Sequence, residues 1–240
     1  GDLTTDVGKG VAGRQRSRTS FFRDGSKKSA WRERQRIGLA RSYVASEKGG
    51  VQRMLDAEER KGVGEVIDRL VSVPIYTGSS LTRRPVLLEL YDAARARFKD
   101  PLAFLAAEAI RERVKPGGSV LLTTGFIVPP WLRAETDGPV GAACLARALN
   151  LCLDVTPVVV TERLITDMIP PVLRAAGFEV TPYAQAKQTY RRIAVEPFTN
   201  DPRKAKEQAS EILDRMKPSA LISIEKASPN EKGIFHSGVG

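Results

Sequence analysis

Histidine occurs once and cysteine twice in these 240 residues. With His236 alone and no CxxC pair, a zinc centre of the usual nitrogen and sulfur ligands is excluded. Cys144 and Cys152 lie eight residues apart on one apolar helical pattern. They are expected to be free cysteines in the core, because a disulfide framework needs more cysteines. No apolar run reaches the roughly 18 residues of a membrane helix, so no membrane span is expected. No internal repeat is present. Aromatic residues make up 6% of the chain, and the globular part has no basic-aromatic platform of the kind that single-stranded nucleic acids use.

What is present is ordinary for a globular protein, with 42% hydrophobic and 28% charged residues. The net charge of +10 is unevenly placed. Residues 1–53 hold 13 Lys/Arg against 5 Asp/Glu, a net of +8, and the remainder is near neutral at +2. The basicity therefore belongs to an N-terminal arm, residues 1–53, that precedes a domain over residues 54–240. Three readings of the arm stand side by side: a solvated tail, an Arg- and Ser-rich organellar targeting region, or a docking arm for RNA or an acidic protein partner. The second implies a mitochondrial location; otherwise the protein is expected in the cytoplasm.

Along the domain, a charged helix from Val51 to Arg60 is expected to break at Gly62-Val63-Gly64, with a short helix following from Glu65 to Val71. Helices follow over 84–98, with Val86, Leu87, Leu90, Tyr91 and Ala94 inward, and over 102–113, with Leu102, Leu105, Ala106, Ala109 and Ile110 inward. Apolar strands are expected over 119–124, 155–160, 178–182, 190–195 and 220–224. Between them lie helices over 139–151, over 161–176 (bent or split by Pro170-Pro171) and over 202–216, the last with Ala205, Ala209, Ile212, Leu213 and Met216 inward. This alternation predicts an α/β fold, a mostly parallel sheet with helices on both faces, preceded by the basic arm.

Two loops follow two of these strands. The first, Thr123 to Gly141, carries Glu135 and Asp137 among three prolines and three glycines and ends at a helix N-terminus. The second, Glu225 to His236, adds a carboxylate, the amide of Asn230 and the only histidine. Ligands of open α/β sheets bind beyond the carboxyl ends of strands, so adjacent strands would bring all five groups together. Thr161-Glu162, after the strand over 155–160, forms a third candidate rim.

Gly125-Phe126, Glu135-Thr136-Asp137-Gly138-Pro139, Gly141-Ala142 and Leu145 to Leu149 together resemble the D-glutamate cyclase C-terminal-like family. Ser223-Ile224-Glu225 with Asn230, Gly233 and His236 is similar to its second block. The resemblance covers about residues 65–240. The family commonly reads Glu-Arg-Pro-Gly-Arg-Asn where this chain has Glu225-Lys226-Ala227-Ser228-Pro229-Asn230, so Lys226 replaces an arginine fork. The resemblance also implies a further Asp-, Asn- and Gly-rich segment, so that the cyclase-like domain over 54–240 is expected to be incomplete at its C-terminal end.

The resemblance implies a hydro-lyase that closes D-glutamate to 5-oxo-D-proline with loss of water. Glu135 or Asp137 would act as base, and His236 as acid. Backbone N–H groups from Gly138 to Gly141 would hold the oxyanion. Glu225 completes the catalytic set, with Gly125, Thr136, Gly138, Gly141, Asn230 and Gly233 as substrate-binding positions. No organic cofactor is expected; a divalent cation, magnesium or calcium, on Glu135, Asp137 and Glu225 is the alternative to purely protein-based catalysis. The other functional expectation is a catalytically impaired cyclase-like subunit with a structural role in a larger, mitochondrial assembly, docked through the arm.

Overall fold

The computed structural model describes residues 55–73, 87–128 and 130–235. The basic arm and His236 lie outside the described residues, and residues 56–240 group as one unit. Its first helix, α1 (Ala57–Val71), starts at Asp56 with a capping box. Asp56 Oδ1 accepts from the Glu59 N–H at 2.9 Å, and Glu59 Oε2 accepts from the Asp56 N–H at 2.8 Å. The helix then runs unbroken through Gly62 and Gly64, contrary to the break expected there. The reason is packing. A Cβ on Gly64 would lie 2.7 Å from Phe104 Cβ, so the glycine admits the next helix but one at close range.

That helix, α3 (Leu102–Arg113), is preceded by α2 (Leu87–Phe98). Its N-cap residue, Pro101, supplies no side-chain cap. Asp68, 3% exposed on α1, caps it from outside, accepting from the N–H groups of Leu102 at 2.6 Å and Ala103 at 2.9 Å. The Tyr91 hydroxyl of α2 donates to the same carboxylate at 3.2 Å. Of the apolar stripe expected on α2, Tyr91 and Ala94 are half-buried, but Leu87 and Leu90 are exposed. Helix α2 meets α1 through Tyr91 and Arg95, Arg95 donating to Glu65 Oε2 at 2.6 Å. On α3, Ala106 is likewise exposed.

The sheet is five-stranded and parallel, in the order β5-β6-β4-β1-β7. Its strands are β1 (Ser119–Thr124), β4 (Thr156–Glu162), β5 (Glu179–Val180), β6 (Arg192–Phe198) and β7 (Ala220–Ile224), and a small hairpin of β2 (Ile127–Val128) and β3 (Arg133–Ala134) follows β1. Side chains alternate between two cores, as a sheet covered on both faces requires. Val120, Leu122, Val159 and Ile193 pack with α4 (Asp137–Leu153) and α5 (Ile169–Ala175). Leu121, Val158, Val160 and Ala194 face α6 (Tyr183–Ala186) and α7 (Pro202–Met216). The segment over 161–176 is split, as its proline pair leads one to expect, into a 3₁₀ turn, Arg163–Met168, and α5, whose first turn carries Pro170. Cys144 and Cys152 are exposed, not core; α4 turns Ala142, Ala143, Ala146 and Leu149 inward, and both cysteines fall on its opposite side.

Substituting Asp68 by Ala would strand two N–H donors in a half-buried position. The expected loss is about 2–3 kcal/mol, read as a lower midpoint in urea denaturation with an unchanged slope.

Candidate active site

From β1 the chain passes through α4 to β4 on one side of β1, and later lays β7 on its other side. The ends of β1 and β7 thus flank the point where the strand order reverses, the usual place for a ligand in an open α/β sheet. Thr124 and Ile224 are register partners there. Gly125 and Glu225 are the next residues of their strands, and both have left their strands at positive φ, 116° and 46°. The resulting turns send Glu225 and Lys226 to opposite faces.

On the α4 face, the carboxylates of Glu135, Asp137 and Glu225 lie within 4.8 Å of one another, all exposed. Glu135 is set by the hairpin, its N–H donating to the Phe126 carbonyl at 3.0 Å. Asp137 opens α4. Gly138 lets that helix start dock: a Cβ there would lie 2.7 Å from Glu225 Cβ and 2.8 Å from Thr124 Oγ1. Desolvation, then the charges of Asp137 and Glu135, push the Glu225 carboxyl above the ordinary carboxylate range. An all-oxygen donor set with unbalanced negative charge fits a hard divalent cation. Thr124 Oγ1, in a residue 0% exposed beneath this cluster, has no hydrogen-bond partner.

The first turn of α4 is less available than expected for an oxyanion. The Gly138 N–H donates to Asp137 Oδ1 at 3.1 Å, Pro139 has no N–H, and the Val140 N–H is held by the Thr136 carbonyl at 3.2 Å. Thr136 itself is exposed at the rim. Gly141 packs on Ile224, with its Cβ position 3.3 Å from Ile224 Cγ2. Asn230 Oδ1 accepts from Lys232 N–H at 2.9 Å and Ile234 N–H at 3.1 Å, and Gly233 closes the same turn at φ 75°. These residues shape the second loop. Gly125 lies under Thr161 and Glu162, its Cβ position 3.0 Å from Thr161 Oγ1 and 3.3 Å from Glu162 Oε2.

On the opposite face, Lys226 is paired. Its ammonium bonds Glu162 Oε1 and donates to the Gly125 carbonyl at 3.2 Å. Burial pulls the Lys226 pKa below the ordinary lysine range, and the ion pair compensates the charge it retains. The pair sits in a cavity of about 610 Å³ under the loops that follow β1, β4, β6 and β7. In the sequence, Glu162 reads only as a rim and Lys226 only as a departure from a pattern. The signal that joins them is the register of β4, β1 and β7, which places the ends of these strands side by side.

A family model described as D-glutamate cyclase-like, C-terminal, matches residues 92–240. The span is shorter than the expected 65–240 and leaves α1 outside it. No curated protein and no solved structure matches the chain.

The raised Glu225 pKa fixes a sign. A carboxyl whose folded pKa exceeds its unfolded value contributes stability below the ordinary carboxylate range, and that contribution is lost as pH rises through the folded pKa. Glu225→Gln removes the loss. The variant should melt higher than the parent at pH 7 and differ less from it at pH 4, in thermal scans across that range; equal midpoints at pH 7 would show that the folded protein does not disfavour the Glu225 carboxylate.

Proposed function

We propose that this chain, which belongs to the D-glutamate cyclase-like, C-terminal family, is a lyase that closes D-glutamate to 5-oxo-D-proline at the Glu135, Asp137 and Glu225 cluster. The observation that carries this is the convergence of three carboxylates within 4.8 Å at the switch point of the sheet. One of them, Glu225, is pushed above the ordinary carboxylate range by desolvation and by the charges of the other two. In ring closure the substrate ammonium gives up two protons as it becomes an amide nitrogen. The departing carboxyl oxygen takes up two protons and leaves as water. Asp137 or Glu135 accepts protons from the attacking nitrogen. Glu225, protonated more readily than an ordinary carboxyl, gives one proton to the leaving oxygen; of the two taken from nitrogen, one passes to that oxygen and the other restores Glu225. Holding the substrate folded contributes through orientation, since both reacting groups belong to one molecule.

The substrate carries net negative charge and meets a negative cluster. A divalent cation held by Glu135, Asp137 and Glu225 would neutralise that cluster and polarise the side-chain carboxyl. A second reading, a cyclase-like subunit without turnover in a larger assembly, is favoured by the apolar surface of α1 and α2. There Leu70, Val71 and Leu90 are 69%, 71% and 63% exposed.

Incubation with D-glutamate, with and without magnesium or calcium, should yield 5-oxoproline by chromatography. Asp137→Asn should lower the rate by a factor of about 10² or more, and should abolish any rise in melting temperature that the cation gives the parent protein. No product under any of these conditions would leave the structural reading.

A further inference from the structure

The cavity on the α7 face has a different chemistry from the carboxylate cluster. Its floor is aliphatic, with Leu121 and Leu221 from the sheet and Ile212 and Leu213 from α7. Leu221 and Leu213 are 57% and 45% exposed. Leu213, expected to point into the core, points into this trough because no helix covers β7 on that side among the described residues. Helix α7 follows β6 and crosses to β7, yet its buried residues, Ile212 and Met216, pack against Leu121, Val158 and Ala194 of the three strands before β7. Volume of about 610 Å³ falls within the range of small-molecule sites and far exceeds what an amino dicarboxylic acid fills.

The charged lining residues are Glu162 and Lys226, and they neutralise each other. A phosphate or dicarboxylate would bring net charge into a neutral, largely apolar space. Nor does the start of α7 offer an anion site, since Asp201 already occupies it, accepting from the Arg203 N–H at 3.0 Å. Two acceptors, the Gly125 carbonyl and Glu162, engage the Lys226 ammonium, which has three N–H donors. The remaining donor suits an uncharged oxygen acceptor.

We propose that this trough binds a ligand with an aliphatic body and an uncharged carbonyl head, such as an acyl amide, with the carbonyl accepting from Lys226 and the chain lying along Leu121, Leu221, Ile212 and Leu213. The inference is independent of turnover at the carboxylate cluster. It concerns a second site, reached on the other face of the Glu225-Lys226 peptide unit.

The test is calorimetric titration of the full chain with hexanamide, octanamide and decanamide, below their solubility limits, and with octanoate. Affinity should tighten by roughly tenfold for each two methylenes added. Octanamide should bind tighter than octanoate, and D-glutamate should not displace it. Leu221→Asp, at an exposed position, should weaken octanamide binding at least tenfold with an unchanged circular dichroism spectrum. Ala209→Trp should do the same by filling the trough. Absence of amide binding, a flat chain-length series, or indifference to both substitutions would overturn the proposal, as would tighter binding of octanoate. A concentration-dependent dimer that Leu221→Asp dissolves, without amide binding, would assign the trough to a second copy of the chain instead.

Discussion

How near α4 can come to β1 and β7 governs the whole C-terminal edge of the sheet. Gly138 stands where any side chain would collide with Glu225 and Thr124. Because it has none, Asp137 arrives beside Glu225, and the hairpin after β1 brings Glu135 to the same spot. The contact desolvates Glu225 and sets it beside two like charges, and the upward shift of its carboxyl reflects the two effects in that order. Apolar packing of Ala142, Ala143, Ala146 and Leu149 beneath the same helix holds the arrangement in place. Carboxylates kept together against their repulsion are a common signature of sites that handle protons or cations.

The other side of the edge follows a different logic. Lys226 and Glu162 neutralise one another in partial burial, so their pairing sets position and polarity without leaving net charge. Thr161 Oγ1 ties the two strand ends by donating to the Thr124 carbonyl at 2.9 Å. An arginine at position 226 would present a planar fork in place of a compact ammonium. In this chain the lysine turns inward to the Glu162 partner, which gives the edge one acidic face and one neutral, apolar face.

Much of the fold was legible because strands buried on both faces are continuous apolar runs. Val120-Leu121-Leu122 and Val158-Val159-Val160 are such runs, and helix α7 matches its expected span residue for residue. Glu135, Asp137 and Glu225 were legible as polar groups placed just after such runs. What escaped notice depends on contacts between distant segments. Glycines at 62 and 64 read as a break because glycine disfavours helices in isolation, whereas packing on Phe104 overrides that preference. The exposure of Cys144, Cys152 and Leu213 depends on which helix side meets the sheet. The Lys226–Glu162 pair depends on strand register, which no local pattern encodes.

The capping of α3 by Asp68 bears on where this domain physically begins. Sequence similarity starts at residue 92, within α2, but the hydrogen bonds do not respect that limit. A chain cut there would lose the acceptor for two N–H groups at the start of α3 and the glycine surface that covers Phe104. Helix α1 is therefore a part of the folding unit that the family boundary omits. The parts of α1 that this role rests on are the carboxylate at position 68 and the missing side chain at position 64.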